Sequence, residues 1–315
     1  MRRILSIDGG GIKGVFPAAF LANIEQAIGH SAADYFDLIV GTSTGGIIAL
    51  GLGLGLGANE ILSLYQNHAD AIFPRRNVFG RIAQLLWPKY DSAPLRAALE
   101  RTFANRRLGE SRRRLVIPSF NLETGQVYNW KTAHHPRLEH DYLRTAVDVA
   151  MSTAAAPTYF PTYRTAAGVP LVDGGVWANN PIAVAVVEAI GVLKWPLAEI
   201  RVLSLGCTFS PMQAGRARFQ GVGIGYWATR LADLFLTAQS TSSLGMAQHL
   251  VSDRRHIRRI SPVIGMKLAL DNTVEIPSLI GLAYSEARND LPDLRTDFFH
   301  EPPAEEFSPF HSLNS

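Results

Sequence analysis

Two hydrophobic patterns alternate along the chain. Short, mostly continuous apolar runs are typical of strands covered on both faces, and longer segments place their apolar residues at helical spacing. The short runs predict strands at Arg3–Ile7, Phe36–Gly41, Leu115–Asn121, Val127–Trp130, Pro170–Asp173, Ile200–Leu205 and His256–Ile260. The longer segments predict helices at Val15–Ile28, Thr44–Gly53, Asn59–Phe73, Pro94–Phe103, Tyr142–Ala155, Pro181–Leu193, Gly225–Leu250 and Ile276–Leu291. This alternation indicates an α/β fold with a mostly parallel central sheet and helices on both faces.

The organisation of the chain favours a single domain. Its 315 residues, of which 47% are hydrophobic, are enough to bury a sizeable core. No internal repeat or Ser/Gly/Pro linker divides the sequence, so residues 1–300 are predicted to form one domain. Residues 301–315 contain several prolines and little periodicity, which predicts a flexible C-terminal tail.

One uncharged stretch, Leu38–Ala58, is long enough to cross a lipid bilayer. Its many glycines and the hydroxyl residues Thr42, Ser43 and Thr44 make it a poor lipid-facing helix. A buried strand, a tight turn and a buried helix explain the same composition better. The sequence therefore predicts no membrane span here.

Charge and cysteine content limit the function classes. The 30 basic and 27 acidic residues leave a net charge of +3, too small to argue for binding a nucleic-acid polymer. The single cysteine, Cys207, excludes an intrachain disulfide and a multi-cysteine zinc site, which favours a reducing, cytoplasmic compartment. Asp8 ends the first apolar run too early for a signal peptide.

The segment GTSTG, Gly41–Gly45, directly follows a predicted strand and directly precedes a predicted helix. A GxSxG sequence in this context is typical of a nucleophile elbow, where a sharp turn exposes the serine above the sheet edge. Glycines on either side let neighbouring chain pass close to the turn. The spacing therefore predicts Ser43 as a nucleophile, and a glycine-rich turn that happens to hold a serine is the alternative.

A second glycine-rich segment, DGGGIKG, begins at Asp8 and also lies between a predicted strand and a helix. Consecutive glycines at a helix N-terminus leave backbone N–H groups unshielded, which suits an oxyanion or a phosphate. Gly9, Gly11 and Gly14 also match the dinucleotide pattern GxGxxG, but the acidic residue expected at the end of the second strand, about twenty positions further on, is missing. The dinucleotide alternative is therefore the weaker one.

A third segment, DGGVWANNP, follows the predicted strand that ends at Asp173. A carboxylate at a strand end, followed by Gly174 and Gly175, can approach another loop closely and accept the proton of a hydroxyl. Asp-Gly pairs are also ordinary turns, so this segment by itself indicates little.

In chain order, DGGGIKG, GTSTG, MSTAAAPTYFP (Met151–Pro161) and DGGVWANNP (Asp173–Pro181) resemble the motifs of the patatin-like phospholipase family. The segment SLGCT (Ser204–Thr208) is similar to the strand end that follows them. The resemblance implies a patatin-like α/β sandwich. It also implies a serine acyl hydrolase that releases fatty acids from glycerophospholipids and needs no metal or cofactor.

The resemblance also implies a role for each motif residue. Ser43 would be the nucleophile and Asp173 the base of a Ser–Asp dyad. The backbone of Gly10 and Gly11 would hold the oxyanion, assisted by the charge of Lys13, where the family more often has arginine. The other motif glycines would shape the turns, and they are Gly9, Gly14, Gly41, Gly45, Gly174 and Gly175.

Histidine is the alternative third member of such a site. In an α/β-hydrolase the histidine follows the acid along the chain, and the candidates by that rule are His249, His256, His300 and His311. None of the nine histidines lies in a recognisable motif, so all are predicted to be structural or surface residues.

The region after the fourth motif is more loosely similar to the cyclic-dinucleotide-activated patatin-like phospholipases of bacterial anti-phage systems, through RARFQGVGIGYW, LFLTAQSTSSLGMAQHL and RRHIRRI. This implies activation by a cyclic dinucleotide. Basic side chains that could neutralise its phosphates are Arg216, Arg218, Arg254, Arg255, Arg258 and Arg259. The alternatives are a lipid acyl hydrolase or esterase without nucleotide regulation, and a non-catalytic nucleotide or lipid binder.

Two further expectations concern surfaces. Apolar residues predict an amphipathic helix whose apolar face lies in the core, and they are Phe219, Tyr226, Trp227, Leu231, Phe235 and Met246. The low share of charged residues, 18%, and the mildly positive charge favour a protein that meets the inner membrane peripherally.

Overall fold

The computed structural model describes residues 1–75, 87–209, 223–227, 230–251, 253–265 and 268–313. The strands are β1 (Arg2–Ile7), β2 (Leu38–Gly41), β3 (Arg114–Asn121), β4 (Gln126–Lys131), β5 (Tyr163–Arg164), β6 (Pro170–Asp173), β7 (Ile200–Leu205) and β8 (Ile257–Ile260). The helices are α1 (Val15–Ile28), α2 (Thr44–Gly53), α3 (Ala58–Ile72), α4 (Ala93–Phe103), α5 (Ala146–Thr153), α6 (Gly175–Ala178), α7 (Ile182–Gly191), α8 (Ile224–Trp227), α9 (Leu231–Leu250) and α10 (Ile276–Asp297).

The strands form one sheet in the order β5-β6-β3-β2-β1-β7-β8, and β4 pairs with β3. The pairs that join β3, β2, β1, β7 and β8 are parallel, whereas β4 and β6 are antiparallel to β3. The carboxyl ends of the parallel strands therefore meet at one edge of the sheet. Both Gly41, which starts the GTSTG segment, and Asp8, which starts the glycine-rich segment, lie at this edge.

Each face of the sheet has its own apolar core. Leu5, Ile7 and Ile39 belong to one buried cluster, whereas Ile4 and Leu38 belong to a second. Successive side chains of a strand point to opposite faces, so strands buried on both sides are mostly apolar. This confirms the predicted α/β class, with a mostly parallel sheet covered on both faces.

The predicted elements mostly coincide with the observed ones, and the differences have local causes. Helix α5 is shorter than predicted because Thr145 caps its start, accepting a hydrogen bond from the Asp148 N–H at 3.1 Å. Helix α10 extends past the predicted end at Leu291 and contains Pro292 in its interior. The two-residue strand β5 was not predicted, because it is too short to carry a periodic pattern.

The predicted apolar stripe after residue 218 does not face the core. Leu231 is 40% exposed, Phe235 66% and Met246 52%. The buried positions of α9 are instead the small residues Ser243 and Ala247. Small side chains let α9 approach its neighbour closely, so the large apolar residues are left on the outer face. The core assignment was wrong for these three residues, and Phe219 lies outside the described residues.

The C-terminal segment contacts the domain at several points, and the flexible tail expected from its prolines stays a prediction. Arg3 donates hydrogen bonds to the His300 and Pro302 carbonyl oxygens at 3.1 and 3.0 Å. Phe307 is buried, and the guanidinium of Arg114 lies 5.0 Å from the centre of its ring. Side-chain contacts across about 300 positions are not visible in local periodicity. The domain boundary at residue 300 stays a prediction.

The uncharged stretch Leu38–Ala58 is divided into β2, a turn at Ser43 and α2, as predicted, and residues 38–54 are buried. None of the helices in the described part of the chain is both long and apolar enough to cross a bilayer.

Candidate active site

Ser43 occupies a strained turn between β2 and α2. Its backbone has φ 56° and ψ −122°, in the left-handed half of conformational space that a residue with a side chain rarely adopts. The turn is tight because the first turn of α2 presses on β1, where a Cβ added at Gly45 would lie 2.3 Å from the Ile7 carbonyl oxygen. The GTSTG segment thus forms the sharp strand-to-helix turn that its spacing predicts.

Asp173 lies at the end of β6 and contacts Ser43 directly. The Ser43 hydroxyl donates a hydrogen bond to the Asp173 Oδ2 at 2.6 Å. The other carboxylate oxygen, Oδ1, accepts the Gly175 N–H at 2.6 Å. Both side chains are buried, with Ser43 9% and Asp173 5% exposed. The structure therefore brings together two motif residues that lie far apart in the chain.

The environment of Asp173 makes its carboxylate more basic than usual. Burial raises the pKa of Asp173 to about 6, although the hydrogen bonds from Ser43 and Gly175 lower it in part. A carboxylate that is still ionised at neutral pH, but holds a proton more readily than an exposed one, is suited to taking a proton from a hydroxyl.

The glycine-rich loop lies beside this pair. A Cβ added at Gly9 would lie 3.2 Å from the Ser43 Cβ. The Gly9 N–H donates to the Asn179 carbonyl oxygen at 2.8 Å and the Ile12 N–H to the Leu270 carbonyl oxygen at 2.7 Å. Between these two fixed points, the N–H groups of Gly10 and Gly11 have no acceptor within the described residues. Among the described residues, the loop thus leaves two backbone donors unpaired directly after Gly9, which contacts the serine.

The conformation of this loop requires glycine. Gly11 has φ +58°, and a Cβ there would lie 2.3 Å from the Leu270 carbonyl oxygen. Lys13 lies in the short 3-10 turn that follows. Burial raises the pKa of Asp8 at the start of the loop, and the charges of Arg259 and Lys13 lower it in part.

The remaining motif glycines lie at close approaches of the backbone. An added Cβ would come within 3 Å of another residue at Gly9, Gly10, Gly14, Gly41 and Gly174. At Gly175 the Cβ would lie 3.0 Å from the Asp173 Oδ1, the same atom that its N–H contacts.

The MSTAAAPTYFP segment contacts the backbone of the site. The Ser43 N–H donates to the Thr153 Oγ1 at 3.0 Å, and the Thr153 hydroxyl donates to the Pro118 carbonyl oxygen at 2.5 Å. The Asp173 N–H donates to the Ala155 carbonyl oxygen at 3.0 Å. The segment thus holds the backbone of both Ser43 and Asp173. In the sequence, the one feature that could have indicated this role of Thr153 is its hydroxyl at the end of an otherwise apolar helix.

No histidine takes part in this arrangement. Within the described residues, neither Ser43 nor Asp173 has a hydrogen bond to a histidine. The buried His134 contacts Thr132 and Glu188 at 2.9 Å each. Among the same residues, no three His, Cys, Asp or Glu side chains are clustered as a metal site requires.

Three of the six basic residues predicted to neutralise phosphates pair with carboxylates in the structure. Arg255 pairs with Asp253, Arg258 with Asp290 and Arg259 with Asp8. Arg259 is largely buried, so its assignment to a phosphate-binding surface was wrong. Arg216 and Arg218 lie outside the described residues.

Comparisons with known proteins agree with the motifs. The patatin-like phospholipase family model matches residues 5–186. The chain is 38% identical over 242 residues to a cGAMP-activated phospholipase of Pseudomonas aeruginosa, which covers 76% of this chain and 72% of that protein. It is 33% identical over 312 residues to a cGAMP-activated phospholipase of Escherichia coli, covering 92% and 82%. A third, from Vibrio cholerae, is 36% identical over 252 residues and covers 70% of each chain.

The α/β fold and these relatives show that the protein is a hydrolase. Because the family model matches more than half of the chain, the protein belongs to the patatin-like phospholipase family.

Proposed function

We propose that this enzyme releases fatty acids from glycerophospholipids through a dyad of Ser43 and Asp173. The 2.6 Å hydrogen bond from the Ser43 hydroxyl to the Asp173 carboxylate carries the proposal. A serine hydroxyl is a weak nucleophile until a base takes its proton. Asp173 is placed to do so without a histidine between them.

In the proposed first step, Ser43 Oγ attacks the acyl carbonyl carbon while its proton passes to the Asp173 Oδ2. The carbonyl oxygen gains the negative charge, and the N–H groups of Gly10 and Gly11 donate to it. The ester bond to the glycerol oxygen then breaks, and this oxygen takes the proton from Asp173. The products are a lysophospholipid and an acyl group bound to Ser43.

In the second step, water attacks the acyl-enzyme and Asp173 accepts its proton. The tetrahedral intermediate forms again at the same backbone donors. When it collapses, the bond between the acyl carbon and Ser43 Oγ breaks, Oγ takes the proton back from Asp173, and the fatty acid leaves. Aspartate is a weaker base than histidine, so much of the rate enhancement has to come from oxyanion stabilisation. The nearby charge of Lys13 favours a negative oxygen in the loop.

A cyclic dinucleotide is the proposed activator. The support is that relatives covering most of the chain are named cGAMP-activated phospholipases. Helix α9 belongs to the region of looser resemblance and contacts the site, since the Gln239 Oε1 accepts the Asn179 N–H at 2.6 Å. A change in the position of α9 would therefore reach the loop that follows Asp173. An enzyme of this kind would act in anti-phage defence.

Fatty-acid release from phospholipid vesicles tests substrate and activator together. We expect release from vesicles of phosphatidylethanolamine and phosphatidylglycerol in the presence of EDTA. With cGAMP the rate should be at least about tenfold higher, which corresponds to an activation free energy lower by about 1.4 kcal/mol. Equal rates with and without cGAMP would contradict the activation. No release under either condition would contradict the hydrolase itself.

The outer face of α9 is proposed to meet the lipid surface. Leu231, Phe235 and Met246 are large apolar side chains exposed on α9, and apolar side chains exposed on a helix beside a site are suited to contact with a lipid surface. The single buried thiol, Cys207, fits a reducing compartment, so the proposed place of action is the cytoplasmic face of the inner membrane.

Replacing Phe235 with aspartate is expected to weaken vesicle binding by about tenfold, because it removes a large apolar side chain from the contact. Co-sedimentation with the same vesicles measures this, and hydrolysis of a water-soluble short-chain ester should be unchanged. Phe310→Asp is the matched control, since Phe310 is 61% exposed and its N–H contacts the Ala133 carbonyl oxygen, at the other edge of the sheet. Equal binding of the two variants would refute the proposed surface.

A further inference from the structure

A bidentate ion pair holds the strand end from which the glycine-rich loop starts. Asp8 directly follows β1, and Arg259 belongs to β8. The Arg259 Nη1 donates to the Asp8 Oδ1 at 2.7 Å, and Nη2 donates to Oδ2 at 2.5 Å. The two side chains are 6% and 19% exposed, respectively. The pair is thus largely buried, and each charge has the other as its main compensation.

The arginine crosses an entire strand to reach this carboxylate. Ser204 of β7 stands beside Arg259 in the register of the sheet, and Ser6 of β1 stands beside Ser204. The Arg259 Nη1 also donates to the Ser204 Oγ at 2.8 Å. A Cβ added at Gly206 would lie 2.8 Å from the Arg259 Nη2, so the backbone leaves room for the guanidinium there.

The position of the pair matters because Asp8 precedes Gly9, Gly10 and Gly11 without interruption. Asp8 is tied through its side chain, and its N–H donates to the Leu205 carbonyl oxygen at 2.9 Å. Without Arg259, the buried Asp8 carboxylate would leave an uncompensated negative charge close to the two N–H groups proposed to hold the oxyanion. That charge would oppose the negative charge that develops on the oxyanion during the reaction.

We propose that Arg259 is a positioning residue for the glycine-rich loop. Through Asp8 it holds the N–H groups of Gly10 and Gly11 in place, and it cancels the negative charge of the carboxylate beside them. The inference rests on the proposed function, because an acyl transfer is the reaction that generates an oxyanion at these donors.

The test separates positioning from substrate binding. Arg259→Lys keeps the charge but cannot make two parallel hydrogen bonds to one carboxylate. With cGAMP and vesicles present, we expect kcat to fall at least about tenfold, as is typical when an oxyanion donor is misplaced, with KM unchanged within about twofold. The double variant Asp8→Asn/Arg259→Gln leaves no unpaired buried charge, so it should fold even if the lysine variant does not, and its kcat should fall similarly.

Arg201→Lys is the matched control on the neighbouring strand. Arg201 lies at the start of β7, at the other end of the strand from the loop, and donates to the Ala198 and Ile200 carbonyl oxygens at 3.0 Å each. It should keep kcat within about twofold of the wild type. A folded Arg259→Lys or double variant with wild-type kcat, or with a raised KM alone, would overturn the inference. A wild-type protein that releases no fatty acid would instead refute the proposed function and remove this inference with it.

Discussion

The Ser43→Ala variant is expected to lose fatty-acid release by at least about a thousandfold, because the nucleophile and its covalent intermediate are both removed. The backbone of the elbow should stay in place, since the Ser43 N–H keeps its contact with Thr153. Initial rates on phospholipid vesicles with cGAMP present measure the loss. Labelling by a fluorophosphonate, which reacts with activated serines, should disappear in parallel.

Two further variants separate chemistry from stability. Ser43→Gly should be equally inactive, but its free energy of unfolding should be higher by about 1 kcal/mol. Glycine adopts the positive φ at this position without strain. Ser63→Ala removes a hydroxyl of α3 that contacts only its own helix through the Asn59 carbonyl oxygen, and it should keep full activity. Wild-type release or labelling in Ser43→Ala would show that another residue is the nucleophile.

The Asp173→Asn variant is expected to lower kcat by about a thousandfold, because an amide cannot take the proton of Ser43 and general-base catalysis contributes factors of this order. The amide has nearly the shape of the carboxylate, so its oxygen can still accept the hydrogen bond from the Gly175 N–H. A thermal unfolding curve close to that of the wild type is therefore expected, and kcat measured on vesicles reports the loss.

The pH dependence of the wild type follows from the same residue. Burial raises the pKa of Asp173 to about 6, and the carboxylate acts as a base only when ionised. The value of kcat/KM should therefore be constant above about pH 7 and fall as the pH decreases through about 6, by about tenfold for each unit below it. Asp173→Asn should lack this inflection.

Asp141→Asn is the control for this experiment. Burial also raises the pKa of Asp141, but its carboxylate contacts Tyr128 and the Lys131 N–H and makes no contact with Ser43. It should keep both the rate and the inflection near pH 6. If Asp173→Asn retained wild-type kcat, or if Asp141→Asn lost the inflection, the base would have to be assigned to another group.

The elements around the site could be predicted because their signals are local. Leu38–Val40, directly before Gly41, are apolar, glycines follow them at fixed spacing, and the helix after Ser43 carries no charge. Such a sequence leaves few conformations other than strand, tight turn and buried helix. The α/β class followed for the same reason, from many short segments that each indicated one type of element.

The outer face of α9 shows what local pattern misses. Its apolar residues recur at helical spacing, which predicts burial, yet Phe235 is 66% exposed. Burial depends on which face meets another element, and here close packing through Ser243 and Ala247 decided it. The contacts of the C-terminal segment are also invisible to local pattern, because its hydrogen-bond partner Arg3 lies at the other end of the chain.

The sequence by itself determined the family, the order of the motifs along the chain and the sharp turn that carries Ser43. Each of these depends on residues that are neighbours in the chain. Only the tertiary structure decided that the Ser43 hydroxyl meets Asp173, that Thr153 holds the backbone of the elbow, and that Arg259 reaches Asp8 across a strand. These contacts join residues more than 100 positions apart. Sequence spacing carries no information on such distances. The sheet decides them, because β1, β2, β7 and β8 run parallel and β6 pairs antiparallel with β3, which sets Asp173 beside Ser119.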